Sequence, residues 1–376
     1  MGLKEKIQKK KQGKKYTVYI FGILIGILMG IFLPSPTFMT IKEILYTLLL
    51  LVLGWQAAVH LHMVIQAVGQ LLFGLLTGYR FSSFWIGPFM WVRINGQLKR
   101  KRTPVSGVIS LCSMNPPKQL DKQPFALHLL GGSITNLIFS LIFFILGLTL
   151  DNNIYLSAFL LMLGIVGLIV ALLFGIPHQF NGGHNYGYKT LLLFRNPKAL
   201  HAYFMQKRID EQTFNGIRLK DMPAEWFFIP LEEMTNSISA TLGWLAHGRL
   251  IDQYLFRDAE QLREQLLALD TLDELARILL IYDKIYFELL NQNREDILND
   301  LLAQPQKLFM KSLKNHPTIL RTEYVYALFA EKNSEKTKTA MAAFEKMALT
   351  YPYPCEIELE RELIDIANDS WTNKSL

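Results

Sequence analysis

Long apolar stretches constrain this chain more than any other feature. Residues 16–34 read YTVYIFGILIGILMGIFLP, and further runs cover residues 44–79, 125–150 and 154–176. A transmembrane helix needs about 20 mostly apolar residues, so each run is long enough to cross a bilayer. The run at 44–79 exceeds one straight crossing, so we expect it to cross and then bend or continue along the interface. These runs predict a multi-pass integral membrane protein with about four transmembrane helices.

The first run also invites comparison with a secretory signal peptide. A cleaved signal has an apolar core of about 7–15 residues and a small-residue cleavage site. Residues 16–34 form a longer run, and no small-x-small site precedes Pro34. We therefore expect an uncleaved helix here.

Charge divides the chain into two parts. Residues 1–195 contain 18 Lys and Arg but four acids, and residues 196–376 contain 21 Lys and Arg and 28 acids, giving net charges of +14 and −7. The first part is typical of a membrane domain and the second of a soluble domain. The basic balance of the whole chain is therefore no argument for nucleic-acid binding. Cys112 and Cys355 are far apart, so we expect reduced thiols.

Basic clusters predict the orientation in the bilayer. Seven lysines lie in residues 1–15, and KRKR occupies residues 99–102. The positive-inside rule places both clusters in the cytoplasm. Alternating crossings then place both termini in the cytoplasm as well. We expect three regions: a basic cytoplasmic tail (1–15), a membrane domain (16–194) and a cytoplasmic helical domain (195–376).

Two segments outside the apolar runs suggest further structure. The aromatic loop after residue 79 contains Asn95-Gly96 between extended runs, which predicts a β-hairpin at the membrane interface. The 3.6-residue period predicts helices at 251–269, 272–290, 318–330 and 335–349. The last two resemble a tetratricopeptide-like pair near 318–350, offering either a partner-binding groove or, as we favour, a generic bundle. The predicted fold class is thus an all-α membrane protein with an interfacial β-hairpin and a cytoplasmic α-helical domain.

Polar residues recur inside the apolar runs. His62, Gln66 and Gln70 are spaced i, i+4, i+8, so they lie near one helical face. Polar side chains at membrane depth are costly and commonly mark functional sites. Further polar or small residues follow in the later runs: Gly132, Asn136, His178, Asn181 and His184.

In order along the chain, these segments resemble the motifs of the site-2 protease family of intramembrane zinc metalloproteases. IQAVGQ at 65–70 stands where the family has His-Glu-x-x-His, Gly132 and Asn136 match Gly-x-x-x-Asn, and FNGGH at 180–184 matches Leu-Asp-Gly-Gly-His. The resemblance covers roughly residues 40–190. It implies zinc held by two histidines and an aspartate, a glutamate as general base, and substrate binding near Gly132 and Asn136.

The chain departs from that pattern at every chemical position. Gln66, Gln70 and Asn181 stand at the ligand positions, and Ala67 stands at the general base. Neutral amides are poor zinc ligands, and residues 44–105 contain no acid. We therefore expect no cofactor and a proteolytically inactive homologue, either a natural pseudoprotease or an inactivated variant. Such a protein would still hold a transmembrane or peptide segment.

Two alternatives stay open at this point. The first is an active intramembrane zinc metalloprotease with a metal site rebuilt from His62, His178 and His184. Catalytic zinc normally has three protein ligands, so the pair His62 and His184 with water would make a weak site. The second is a membrane-tethered adaptor whose C-terminal helical domain binds a protein partner.

Overall fold

The computed structural model describes residues 40–102, 109–117, 125–150, 154–180, 183–305, 310 and 312–375. The tail 1–15, the apolar run 16–34 and Asn181 lie outside the described residues. The chain divides into two compact units. One comprises Met1–Leu61 and Leu137–Ile169, and the other comprises His62–Asn136 and Val170–Leu376.

The three apolar runs that lie in the described residues form long helices. These are α1 (Ile41–Leu76), α2 (Phe125–Thr149) and α3 (Ile154–Gly175). Leu51–Leu76, Phe125–Thr149 and Tyr155–Gly175 are each long and apolar enough to cross a membrane. We expected the run at 44–79 to cross the bilayer and then bend or continue along the interface. This run forms one helix of 36 residues. Leucine, isoleucine and phenylalanine cover much of the exposed surface of these helices, as helices facing lipid require.

Small residues allow α2 and α3 to pack closely within the unit that comprises Met1–Leu61 and Leu137–Ile169. A methyl group added to Gly147 would lie 2.8 Å from Leu161, and one added to Gly164 would lie 3.0 Å from the ring of Phe144. The Ser140 hydroxyl donates to the carbonyl of Gly164. Close backbone approach at small residues and hydrogen bonds between helices are the usual means of packing helices in a bilayer.

The loop between α1 and α2 holds a four-stranded antiparallel sheet, where a two-stranded hairpin was expected. Its strands are β1 (Arg80–Ile86), β2 (Phe89–Ile94), β3 (Gln97–Arg102) and β4 (Ser110–Asn115), in the order β3-β2-β1-β4. The predicted turn at Asn95-Gly96 is confirmed. Both residues have positive φ angles, 49° and 80°, as a type I′ hairpin turn requires.

The C-terminal part is helical, as predicted. Its helices are α4 (Tyr186–Arg195), α5 (Pro197–Phe214), α6 (Ser237–Asp252), α7 (Phe256–Leu267), α8 (Glu274–Leu290), α9 (Glu295–Ala303), α10 (Pro317–Phe329), α11 (Ser334–Ala348) and α12 (Pro354–Ser375). A short pair of strands, β5 (Gln179–Phe180) and β6 (Gly183–His184), precedes them. The predicted helix pair at 318–330 and 335–349 is confirmed as α10 and α11, and its tetratricopeptide-like character stays a prediction.

One predicted helix begins later than expected. Residues 251–269 do not form a single helix, because α6 ends at Asp252 and α7 begins at Phe256. Tyr254 between them has a φ angle of 59°, in the left-handed region that terminates helices. The N–H of Leu255 then donates to the carbonyl of Leu250 at 2.9 Å, which closes the last turn of α6.

Buried ion pairs tie the C-terminal helices together. Arg321 on α10 contacts Asp283 on α8 at 2.7 Å and Glu360 on α12 at 2.9 Å. The Arg321 guanidinium also lies over the ring of Tyr286, 4.4 Å from its centroid. We call Arg321, Asp283 and Glu360 the arginine cluster. It joins three helices by charge, beside an apolar core.

Candidate functional site

A buried asparagine on α2 connects two polar residues of α1. The Asn136 side-chain amide donates to Gln66 Oε1 at 2.8 Å and to the His62 carbonyl at 3.2 Å. Asn136 Oδ1 lies 2.8 Å from His62 Nδ1, so the imidazole is the donor of that bond. All three side chains are at most 3% exposed. We call His62, Gln66 and Asn136 the amide cluster.

Glycines bring α2 against α1 beside this cluster. A methyl group added to Gly132 would lie 2.5 Å from the side-chain carbonyl carbon of Gln66. One added to Gly69 would lie 2.7 Å from the carbonyl oxygen of Gly131. Neither position has room for a side chain, so the two helices approach closely there. The first residue of the Gly-x-x-x-Asn segment therefore packs directly on Gln66.

Gln70 lies one turn further along α1, where it contacts a residue that the sequence did not single out. Its buried side chain hydrogen-bonds Tyr186, the first residue of α4. Burial raises the pKa of the Tyr186 hydroxyl. The Gln70 carbonyl also lies 3.2 Å from Nδ1 of His128, which stacks on Tyr79. The position of Tyr186 immediately after the FNGGHN segment is the only sequence signal that would have pointed to it.

Asn185, the residue after the last motif, connects the end of α3 to the start of α4. Its side-chain oxygen accepts from the N–H groups of His178 at 3.0 Å and Tyr188 at 2.8 Å. Its amide donates to the carbonyl of Leu173 at 2.7 Å. Asn185 thereby caps the start of α4 and fastens it to the end of α3, as asparagine commonly does at a helix N-terminus. Asn185 thus fixes the start of α4, where Tyr186 lies.

The remaining histidines have separate neighbours. His184 Nδ1 lies 2.7 Å from the Ser237 hydroxyl, and its ring stacks on Tyr188 at 4.5 Å. Burial, with Lys189 nearby, lowers the pKa of His184. His178 is exposed. Within the described ranges, no three His, Cys, Asp or Glu residues are grouped so that they would hold a metal ion.

The donors at this site do not fit the zinc centre that the resemblance implies. Gln66 Oε1 is already engaged by Asn136, and zinc prefers thiolate, imidazole and carboxylate ligands. The buried methyl group of Ala67 neither accepts nor donates a proton. The amide cluster is thus a neutral network whose bonds run between helices. Substrate binding by Gly132 and Asn136, both buried here, stays a prediction.

Comparisons with family models, with curated proteins and with solved structures found no match.

Proposed function

We propose that this chain is a multi-pass membrane protein with a site-2-protease-like core that is proteolytically inactive and serves to hold a transmembrane or peptide segment. The hydrogen bond between Asn136 and Gln66 carries this proposal. It joins the segment that resembles the middle motif of the family to the position that resembles the first zinc ligand. In a metalloprotease the bound substrate must lie beside the metal, so a substrate-binding position and a metal-ligand position are expected to be neighbours.

A contact just beyond the third segment supports the same alignment. Tyr186, two residues after the segment resembling Leu-Asp-Gly-Gly-His, hydrogen-bonds Gln70 at the position of the second ligand. Gly132 packs on Gln66 at the position of the first. Gly132, Asn136 and Tyr186, which are far from α1 in sequence, therefore contact Gln66 and Gln70 on α1, and these contacts support the proposed alignment.

Loss of proteolysis follows from the chemistry of the replacements. Gln66, Gln70 and Asn181 supply neutral amides, and Ala67 supplies no base. A metallopeptidase needs a metal-bound water and a group to take its proton. Neither requirement is met by these four residues.

A retained binding role explains why the polar cluster persists. Buried polar groups in apolar helices are costly, and an apolar contact would be sufficient for helix packing alone. A client segment entering beside α2 would take over hydrogen bonds that Asn136 now makes to Gln66 and His62. The client therefore competes with bonds inside the protein, which favours weak and reversible binding.

The orientation belongs to the same proposal. The positive-inside rule assigns the lysines of residues 1–15 and the basic residues of β3 to the cytoplasm, and alternating crossings then assign both termini to the cytoplasm. A reporter fused after Leu376 is then active only inside the cell. Activity confined to the outside would contradict this orientation.

Metal content and cleavage test the proposal together. Tag-free protein purified at neutral pH should contain zinc well below one ion per chain and should leave a membrane-embedded peptide intact. Stoichiometric, tightly held zinc accompanied by cleavage would contradict the proposal. Single substitutions of His62, His178 and His184 by Gln would then identify the true ligands.

A further inference from the structure

A cavity of about 300 Å³ lies at one end of the four-stranded sheet. The start of β1, the turn between β2 and β3, the end of β4 and the end of α5 surround it. Its polar lining consists mainly of Arg80, Arg93, Asn115, Glu211 and Asn215. None of the residues in the amide cluster lines this cavity. Its size suits a small ligand or the terminal residue of a longer one.

The charges that line the cavity leave an excess of one positive charge. Arg80 pairs with Glu211, with 3.2 Å between Nη2 and Oε2. The Arg93 guanidinium lies over the ring of Phe81, 5.9 Å from its centroid. In the part of the chain that the structure describes, Arg93 has no carboxylate partner. A guanidinium so placed favours an anionic ligand, most of all a planar carboxylate.

A buried hydrogen-bond acceptor adds a second requirement. Asn115 is 5% exposed, and its Oδ1 has no hydrogen-bond partner among the described residues. The corresponding oxygen of Asn215, in contrast, accepts from the N–H of Asn95 at 3.0 Å. A buried acceptor without a partner is destabilising, so a ligand that brings a donor gains affinity at Asn115.

The backbone around the cavity is fixed before any ligand arrives. The type I′ turn at Asn95-Gly96 is held to α5 by Asn215. Phe214 adds an apolar wall, and it is itself held by stacking on Tyr353 at 4.6 Å. A site built on such constrained elements loses little entropy when it binds.

We propose that this cavity binds a carboxylate with a neighbouring N–H donor, the chemistry of the carboxy-terminal residue of a peptide. Arg93 pairs with the carboxylate, Asn115 accepts from the backbone N–H, and Phe214 contacts an apolar side chain. Free N-acyl amino acids share this chemistry. The proposal is independent of the function proposed for the amide cluster.

Calorimetric titration of the full chain in detergent tests the site. The probes are N-acetyl-glycyl-phenylalanine, its C-terminal carboxamide, N-acetyl-phenylalanine and inorganic phosphate. The acid peptide should bind at least about tenfold more tightly than the carboxamide, because the carboxamide cannot form the charge-assisted bond to Arg93. N-acetyl-phenylalanine binding as tightly as the peptide assigns the site to free N-acyl amino acids, and weaker binding assigns it to peptide ends.

Substitutions separate the cavity from the rest of the sheet. Arg93→Gln should weaken binding of the acid peptide at least about tenfold. Arg100→Gln is the matched control, because Arg100 also lies over a phenyl ring, that of Phe89 at 5.3 Å, but does not line the cavity. Asn115→Leu should weaken binding about fivefold without lowering the melting temperature, since it removes an unpartnered acceptor.

Three results would overturn the proposal. The first is equal affinity for the acid and the carboxamide, or no measurable binding of either. The second is the same affinity in the Arg93→Gln and Arg100→Gln variants. The third is tighter binding of inorganic phosphate than of the acid peptide, because phosphate at Arg93 would make the Asn115 acceptor irrelevant.

Discussion

The amide cluster and the arginine cluster both connect helices through buried polar side chains, but one is neutral and the other is charged. The amide cluster uses the neutral side chains of Gln66 and Asn136 with an imidazole, between helices apolar enough to cross a membrane. The arginine cluster uses a guanidinium between two carboxylates in the acidic C-terminal domain.

The difference shows what each environment tolerates. At membrane depth an unpaired charge is expensive, whereas neutral groups can satisfy one another across a helix contact. In a water-soluble domain, charges can be buried when each one is paired and hydrogen-bonded. A zinc site in the membrane region would need a charged carboxylate and a metal ion together. Neutral amides that bond one another are a form of polarity that is tolerated there without a metal ion.

Breaking the arginine cluster should have the largest effect. Arg321→Met leaves Asp283 and Glu360 buried without their cation, so we expect a loss of about 3–5 kcal/mol in the free energy of unfolding. Arg361→Gln is the control, because its partner Glu345 and Arg361 itself are both half-exposed. Exposed pairs contribute about 0–1 kcal/mol. Chemical unfolding of the full chain in detergent measures both, and similar losses would contradict the account.

Acid should weaken the C-terminal domain through His247. Burial lowers its pKa from 6.5 to about 4, despite the nearby carboxylate of Asp283. The pKa of His247 is lower in the folded state than in the unfolded state, so protonation favours unfolding. The protein therefore has its full free energy of unfolding above pH 6.5 and loses part of it as the pH falls towards 4. The full pKa shift corresponds to a loss of about 3 kcal/mol in the free energy of unfolding.

The His247 contribution can be isolated by substitution. His247→Gln should flatten the decline of unfolding free energy between pH 7 and 4, and substitution of the exposed His201 by Gln should leave the decline unchanged. Identical pH profiles for wild-type protein and His247→Gln would show that His247 does not carry this dependence.

Breaking the amide cluster should have the smallest effect of the three. Asn136→Leu removes the bonds to Gln66 and His62, at a cost of about 1–2 kcal/mol for neutral groups between membrane helices. Thr149→Val is a suitable control, because the Thr149 hydroxyl bonds only carbonyls of its own helix. Detergent-induced unfolding measures both variants. A loss as large as that from Arg321→Met would mean that the two clusters do not differ as argued.

The sequence predicted the helices of the apolar part closely. The run at 125–150 corresponds to Phe125–Thr149 and the run at 154–176 to Ile154–Gly175, because the length of an apolar run fixes the length of a crossing. The strand β4 was harder to predict. SLCSMN lacks an apolar alternation, and its pairing with β1 is a tertiary event that local pattern does not specify.

The sequence predicted which residues belong to the amide cluster and its surroundings, but it did not predict which residues contact one another. The i, i+4, i+8 spacing placed His62, Gln66 and Gln70 on one face of α1. The partners of that face, Asn136 and Tyr186, come from other helices. Spacing within one helix carries no information on these partners. Asn181 lies outside the described residues, so its role stays a prediction.

Restoring the four altered positions tests the central claim most directly. Gln66→His, Ala67→Glu, Gln70→His and Asn181→Asp, made together, would place two imidazoles one turn apart, a carboxylate base beside the first and a third ligand after α3. Zinc is measured by elemental mass spectrometry on tag-free protein, with Ala67→Glu alone as the control, because a base without metal-bound water has nothing to activate. The account predicts about one zinc per chain in the quadruple variant and almost none in the control. A folded quadruple variant that binds no zinc would contradict the alignment of these positions with the protease motifs.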